Sequence, residues 1–548
     1  MLLPSKPAVL AALHLGATLG TCQSPVILAD TNRDGIINSD DAVGRAFWTS
    51  SRGAIFLPNV GDSSNRCPNV DLQGNPLSNH ELASCNDASG HLLLEPRFAA
   101  PLKTLPFDVA DDAFARIYAT PDGASSRVRL FLDDFPERAN ETSAWRFVDP
   151  EFSFNASQIR AGITLGIDGR EFVKNVAIWD GKVTVRFDVH ANSTTHSDVV
   201  QLKIAPVLTH HHLQSVTTLL STAANASDPV QLEFLRQLDA GREAAGLAAP
   251  LYLFNQSSDI WAQDFIEPAY ASMQGRDGPV SIRIMLRSAQ RKHFEKLPAE
   301  AMTNFLNGQG IQKPLLLETG WLLIGHVDEF VQFVPSNKTG LGFTIAIADT
   351  TSALDVLRNA SSAGHGDVRA VSFNGSVETA FSVSEEELAT TVDQLLANAT
   401  FHEVNAYAQR HIDANFELLL AEIPLAREDV IRVPVLFKDL NMGGGGFSRT
   451  DDGLPSHTDE VMRDERLVAS FSPAAINGIV IGQHYLSPKP WGPVVGDVDL
   501  FEEAVRSAYG RAGMDVSFVD DFLSHHVGLG EIHCGSNTFR ETDVKWWE

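Results

Sequence analysis

Beyond its first two dozen residues the chain has no uninterrupted apolar run near the roughly eighteen residues that a membrane-spanning helix needs, which excludes membrane insertion. Long low-complexity tracts are also lacking, and the hydrophobic share of 44% with 20% charged residues is that of a folded globular protein. Positive charge is short: 42 Lys and Arg stand against 69 Asp and Glu, a formal net charge of -27. Nucleic acid and anionic membranes would repel such a surface, whereas cationic substrates or divalent metal ions would suit it. Cysteine is scarce, with only Cys22, Cys67, Cys85 and Cys534. The glycine cluster Gly443 to Gly446 lacks the Lys-Ser/Thr of a phosphate loop, so it reads as a surface loop.

At 548 residues the chain is long enough for two or more domains. Lys6 followed by the small, apolar run Ala8 to Gly20 has the charge, core and cleavage order of a secretory leader over residues 1–22. Asn-x-Ser/Thr triplets at Asn140, Asn155, Asn192, Asn225, Asn255, Asn337, Asn359, Asn374 and Asn398 agree with export of a secreted glycoprotein. Cys67 and Cys85 share a loop-rich segment in which a disulfide is plausible outside the cell. Cys534 is left over, and an unpaired cysteine in an exported chain points to a reactive thiol.

From Val26 to about Pro206, short apolar runs such as Arg127 to Asp133, Val183 to Val189 and Val199 to Ile204 alternate with turn signals, the pattern of an antiparallel sandwich. Beyond the histidines His210 to His212, read as a polar linker, helical stretches alternate with strand-like runs and indicate an α/β domain. The helices are expected at Pro229 to Leu247, Glu385 to Leu396 and Asn405 to Glu422; the strands include Ile282 to Leu286, Val327 to Val334 and Gly478 to Ile481. The boundaries are a leader over 1–22, a first domain over 23–206 and a catalytic domain over 207–548.

Asp30-Thr31-Asn32-Arg33-Asp34-Gly35, continuing to Asp41, places oxygen side chains at positions 1, 3, 5 and 12 of a loop with glycine at 6. That spacing suits calcium, since glycine permits the sharp turn that gathers the oxygens. Three distant segments carry further chemistry: Trp261-Ala262-Gln263-Asp264 with Glu267, Gly325-His326-Val327-Asp328-Glu329-Phe330, and Glu531-Ile532-His533-Cys534-Gly535. Together they supply a nucleophile, a proton carrier and two carboxylates. Asp264 and Asp328 could each hold an edge of a planar guanidinium while Cys534 attacks its carbon. If His326 to Phe330 is a strand, His326 and Asp328 share one face.

These three segments resemble those of the protein-arginine deiminases. The likeness continues through Gly482-Gln483-His484-Tyr485, Pro488-Lys489-Pro490-Trp491-Gly492-Pro493-Val494, Phe518-Val519-Asp520-Asp521-Phe522 and Lys545-Trp546-Trp547. Trp48-Thr49, Arg52-Gly53-Ala54-Ile55-Phe56-Leu57-Pro58-Asn59 and Lys203-Ile204-Ala205-Pro206 extend it to the first half. The resemblance implies an all-β immunoglobulin-like sandwich followed by an α/β pentein propeller. It also implies calcium dependence and conversion of peptidyl-arginine to peptidyl-citrulline. By it Cys534 is the nucleophile, His326 the general acid and base, and Asp264 and Asp328 the guanidinium ligands. Trp261 and Arg291 contact the substrate, and Gln263 and Glu267 are calcium ligands beside the site.

The sequence departs from the family between the aspartate motif and the His-Val-Asp-Glu motif. Several dozen residues that the family carries there, among them the rest of that calcium site, have no equivalent after Arg287-Ser288-Ala289-Gln290-Arg291. The departure motivates two competing readings: a calcium-binding homologue without turnover, and a deiminase of free arginine or agmatine.

Overall fold

A computed structural model describes residues 24–121, 123–255, 257, 259–286, 300–377, 382–439 and 466–548. The expected leader over 1–22, Arg291 and the cluster Gly443 to Gly446 lie outside the described residues.

Alternation of apolar and polar residues, as in Lys182–Ala191 with its inward Val183, Val185 and Phe187, builds the first part as two five-stranded sheets. One runs in the order Ile27–Ala29, Ala100–Thr104, Thr164–Gly169, Val128–Asp133, Trp145–Phe147. The other runs Ala54–Phe56, Thr194–Ile204, Lys182–Ala191, Phe114–Thr120, Phe154–Asn155. Their inward residues merge into one core, and the strands pair antiparallel except where Thr194–Ile204 runs parallel to Ala54–Phe56. That core does not stop at Pro206: Ala269, Ala271, Met273, Ile282 and Ile284 of the hairpin Glu267–Gly275 and Gly278–Leu286 pack into it.

The remainder is made of smaller sheets. In three of them an antiparallel strand pair is followed by helix and a third strand that returns parallel to the second. Val331–Pro335 and Phe343–Asp349 are followed by helices including Thr350–Ala360 and Ala399–Glu422, then Ile431–Pro434. Ile479–Ile481 and His484–Pro488 are followed by the helix Leu500–Gly510, then Asp515–Val519. Ser536–Arg540 pairs with Val216–Thr222, the helix Pro229–Ala244 follows, and Tyr252–Phe254 completes the sheet. A strand near the C-terminal end thus closes on one more than 300 residues earlier, at the register Ser221↔Ser536.

Three local expectations are corrected. The segment from Val327 is not a strand from its start: Val327–Glu329 is a 3-10 turn, and the strand begins at Val331. Glu329 ends the extended path by turning back, its carboxylate accepting the His326 N–H at 2.7 Å. The helix expected over Glu385 to Leu396 is two helices, Glu385–Ala389 and Val392–Ala397, because Thr391 caps the second and pairs reciprocally with Gln394. His210 to His212 are more than a linker. His210 bonds Gln214 at 3.0 Å, and His210 and His212 line an internal cavity. Burial lowers His210 to about 4 and His212 to about 3, which leaves both imidazoles neutral at physiological pH.

Candidate active site

Four segments that bear chemistry each lie immediately before a strand of a different sheet. Asp264 sits on the single helical turn Ala262–Phe265, ahead of Glu267–Gly275. His326 and Asp328 belong to the turn ahead of Val331–Pro335. Asn477 precedes Ile479–Ile481, and Cys534 precedes Ser536–Arg540. A turn delivers its side chain to the strand ends, and the ends of several sheets meet at one place.

Their contacts establish that meeting. Cys534 is 6% exposed, and its Sγ donates to Asn477 Oδ1 at 3.6 Å. The Asn477 amide donates to Asp328 Oδ2 at 2.8 Å, and His533 Nδ1 lies 2.7 Å from the same carboxylate oxygen. The Gln263 N–H donates to the Cys534 carbonyl at 3.1 Å, which joins the Asp264 turn to the Cys534 turn. His326 acts electrostatically on both Asp264 and Asp328. Asp328 is thus tied to Cys534 through Asn477, and Asp264 and His326 lie within electrostatic reach of Asp328.

Trp261 belongs to the same wall. A Cβ added at Gly530 would stand 2.5 Å from the Trp261 ring and 3.2 Å from the Cys534 Cβ. Indole and nucleophile thus flank one glycine. The ring also meets His525 edge-on, with centroids 5.2 Å apart.

The electrostatics of the site are set by burial and by the charge of Asp328. Burial works to raise Asp328, but the adjoining His533 outweighs it and holds this carboxylate at about 2. Burial opposes a charged His533, yet Asp328 lifts it above its ordinary value. Burial raises Asp264, with His326 offsetting and Asp328 reinforcing the rise, and its carboxylate has no hydrogen-bond partner among the described residues. Burial first and the Asp328 charge second push the Cys534 thiol well above its ordinary range. Cys534 rests as a thiol, and a cation beside it would favour the thiolate.

Two of these partners have no assigned role in the sequence reading. His533 stands in the quoted motif beside Cys534, and Asn477 stands in none. Its one sequence signal is position: it lies two residues before the apolar strand Ile479–Ile481.

The two sets of expected metal ligands differ. In the first loop Asp30 accepts the N–H groups of Asp34 at 3.0 Å and Gly35 at 2.9 Å, and Asn32 donates to Asp34 at 2.9 Å. Gly35 takes φ +85°, the conformation its position requires. Asp41 accepts N–H groups from Thr31, Asn32 and Asn38, which closes the loop. The side-chain oxygens of Asp30, Asn32 and Asp34 thus accept N–H groups of the loop itself, and Asn32 turns its amide nitrogen to Asp34. Gln263 instead donates to Glu267 at 2.6 Å beside a cavity of about 80 Å³ that His210, His212, His533 and Arg540 also line. Imidazoles and a guanidinium do not fit calcium, so the described residues leave this second set incomplete. Among them no group of three or more His, Cys, Asp or Glu is arranged as a metal cage.

The segments that build this site lie within a family match. The sequence profile of the protein-arginine deiminases matches residues 194–303 and 291–548, two segments that meet where the chain departs from the family pattern. Human protein-arginine deiminase type-4 is 30% identical over 277 residues, which is 50% of this chain and 37% of that protein. Human protein-arginine deiminase type-3 is 32% identical over 249 residues, 45% of this chain and 33% of that protein. The match thus spans about a third of the length of these relatives. A solved agmatine deiminase from C. jejuni overlaps 61% of this chain and 96% of its own at 12% identity and a TM-score of 0.29, too low to bear on the fold. With the profile covering well over half of its length, the chain belongs to the protein-arginine deiminase family.

Proposed function

We propose that the chain is a secreted, calcium-dependent protein-arginine deiminase, with an immunoglobulin-like sandwich ahead of a pentein propeller. The convergence of Asp264, His326 and Asp328 on Cys534 carries the reading. Asp264 and Asp328 take the guanidinium edges, and Trp261 flanks the arginine stem. Cys534 loses its thiol proton to solvent as the guanidinium cation enters, and its thiolate attacks the guanidinium carbon. His326 protonates the departing ammonia, which leaves a thiouronium, and then takes a proton from the water that attacks it. Collapse breaks the C–S bond, returns the thiolate and releases peptidyl-citrulline.

Calcium is proposed at Asp30, Asn32 and Asp34, with Asp41 closing the loop behind them. Secretion is supported by the pairing of Cys67 with Cys85 and by the sequon asparagines. All nine are exposed, whereas Asn59, Asn405, Asn415, Asn477 and Asn537, outside such triplets, are buried. No helix among the described residues is long and apolar enough to cross a membrane. A mass decrease on enzymatic removal of N-glycans from the exported chain is expected; an unchanged mass would remove the glycoprotein reading.

A second reading, a homologue without turnover, is favoured by the incomplete Gln263–Glu267 set. Release of ammonia with formation of the ureido product from an arginine peptide, free arginine and agmatine at equal concentration separates the readings. Turnover of the peptide in preference to both small molecules is expected. Product from a small molecule alone would reassign the substrate, and peptide binding without product would establish the second reading.

A further inference from the structure

We infer that Asn477 is a positioning residue that ties the substrate-binding carboxylate of Asp328 to the nucleophile Cys534, an inference that rests on the deiminase reading. Asn477 is 1% exposed. Its backbone is held from both sides: its N–H donates to the Ala474 carbonyl at 2.9 Å, and its carbonyl accepts the His533 N–H at 3.3 Å. The next residue, Gly478, lies so close to the neighbouring strand that an added Cβ would be 2.3 Å from the Leu486 carbonyl oxygen. Gln332 donates to the Gly478 carbonyl at 2.7 Å. The amide therefore reaches the site from a fixed base.

The orientation of that amide follows from its partners. An ionised carboxylate only accepts, so the Asn477 nitrogen must face Asp328, at 2.8 Å. The oxygen is left facing Cys534 at 3.6 Å and can only accept, which requires the sulfur to donate as a thiol. One amide thus fixes the rotamer of the carboxylate that meets the guanidinium and holds the nucleophile in its protonated resting state. A guanidinium that draws Asp328 toward itself pulls on the same amide, so engagement of substrate and release of the thiol are linked. An apolar side chain of equal size can do neither, and a single hydroxyl cannot donate to Asp328 and accept from Cys534 in the same geometry.

Asn477→Leu keeps the branched shape of the side chain, at a larger volume, and removes both bonds. The expected result is a fall of about 100-fold in kcat/KM, the scale of an ångström misplacement, with KM raised and kcat lowered by about tenfold each. Alkylation of Cys534 by iodoacetamide at fixed pH, followed by intact mass, should also quicken by at least about threefold, because the thiol loses its acceptor. That rate requires no turnover: an inactive wild-type chain would refute the deiminase reading while alkylation still tests Asn477. If Asn477→Leu does not fold, Asn477→Ser, which can keep only one bond, is measured with an expected loss of about tenfold in kcat/KM. Wild-type KM, kcat and alkylation rate in a folded variant would overturn the inference. So would a loss confined to thermal stability.

Discussion

Gly530 shows how tightly the nucleophile is held, since a single methyl there meets both the Trp261 ring and the Cys534 Cβ. Gly530→Ala should fold but displace one or both, with a loss of about 100-fold in kcat/KM for arginine peptide. Steady-state kinetics beside an unchanged thermal unfolding midpoint would check this, and wild-type kinetics would show that the wall yields. At this scale much of the site is legible in the sequence. Cys534 stands out as the cysteine left unpaired, whereas His326, Asp264 and Asp328, among 18 His and 69 Asp and Glu, stand out through the resemblance of their segments to the deiminases. Asn477 is not legible: a buried asparagine is ordinarily a structural residue, and only the fold sets it between Asp328 and Cys534. His533 is hidden differently, beside a more conspicuous neighbour whose chemistry explains the motif without it.

Elements follow the sequence where period and burial agree. The strands of the sandwich and the helix Pro229–Ala244 form close to where apolar spacing places them. Turns before strands are harder to read, because Val327 to Val334 ends in a strand-like apolar run while the Glu329 carboxylate folds its start back on the His326 amide. Between sandwich strands the interior also holds an ion pair: Arg129 on Val128–Asp133 and Asp168 on Thr164–Gly169 are both 0% exposed. Arg129 Nε donates to Asp168 at 2.9 Å, and Asn59 donates to the same carboxylate at 2.9 Å. Asp168→Ala leaves a buried guanidinium without its charge partner and should cost roughly 3–5 kcal/mol, read by denaturant unfolding. A change within about 0.5 kcal/mol, the range of ordinary surface substitutions, would mean that water reaches Arg129.

Over the whole molecule, the first loop and the candidate site are joined by packing. A Cβ at Gly35 would lie 2.4 Å from the Gly275 carbonyl oxygen, so the loop seats against the tip of the hairpin that begins at Glu267. The other end of that hairpin adjoins the Asp264 turn. Burial, reinforced by the charges of Asp41 and Asp34 against the lowering by backbone hydrogen bonds, raises Asp30 to about 6. The folded state then binds this proton more tightly than the unfolded chain does. Without calcium, the stability from this group is full below about pH 4 and is lost as pH rises through about 6. Saturating calcium should replace the proton and flatten that decline in thermal unfolding midpoints. An identical pH dependence with and without calcium would leave the loop without a cation. The long-range closure of Ser536–Arg540 on Val216–Thr222, which sets Cys534 into the site, is invisible to local pattern because it joins segments more than 300 residues apart.

The most direct measurement is citrulline release from an arginine-containing peptide by the purified chain, with and without millimolar calcium, beside Cys534→Ala. Calcium-dependent product that the substitution abolishes is the expected result; no product at any calcium concentration, or product that survives Cys534→Ala, would contradict the proposed function.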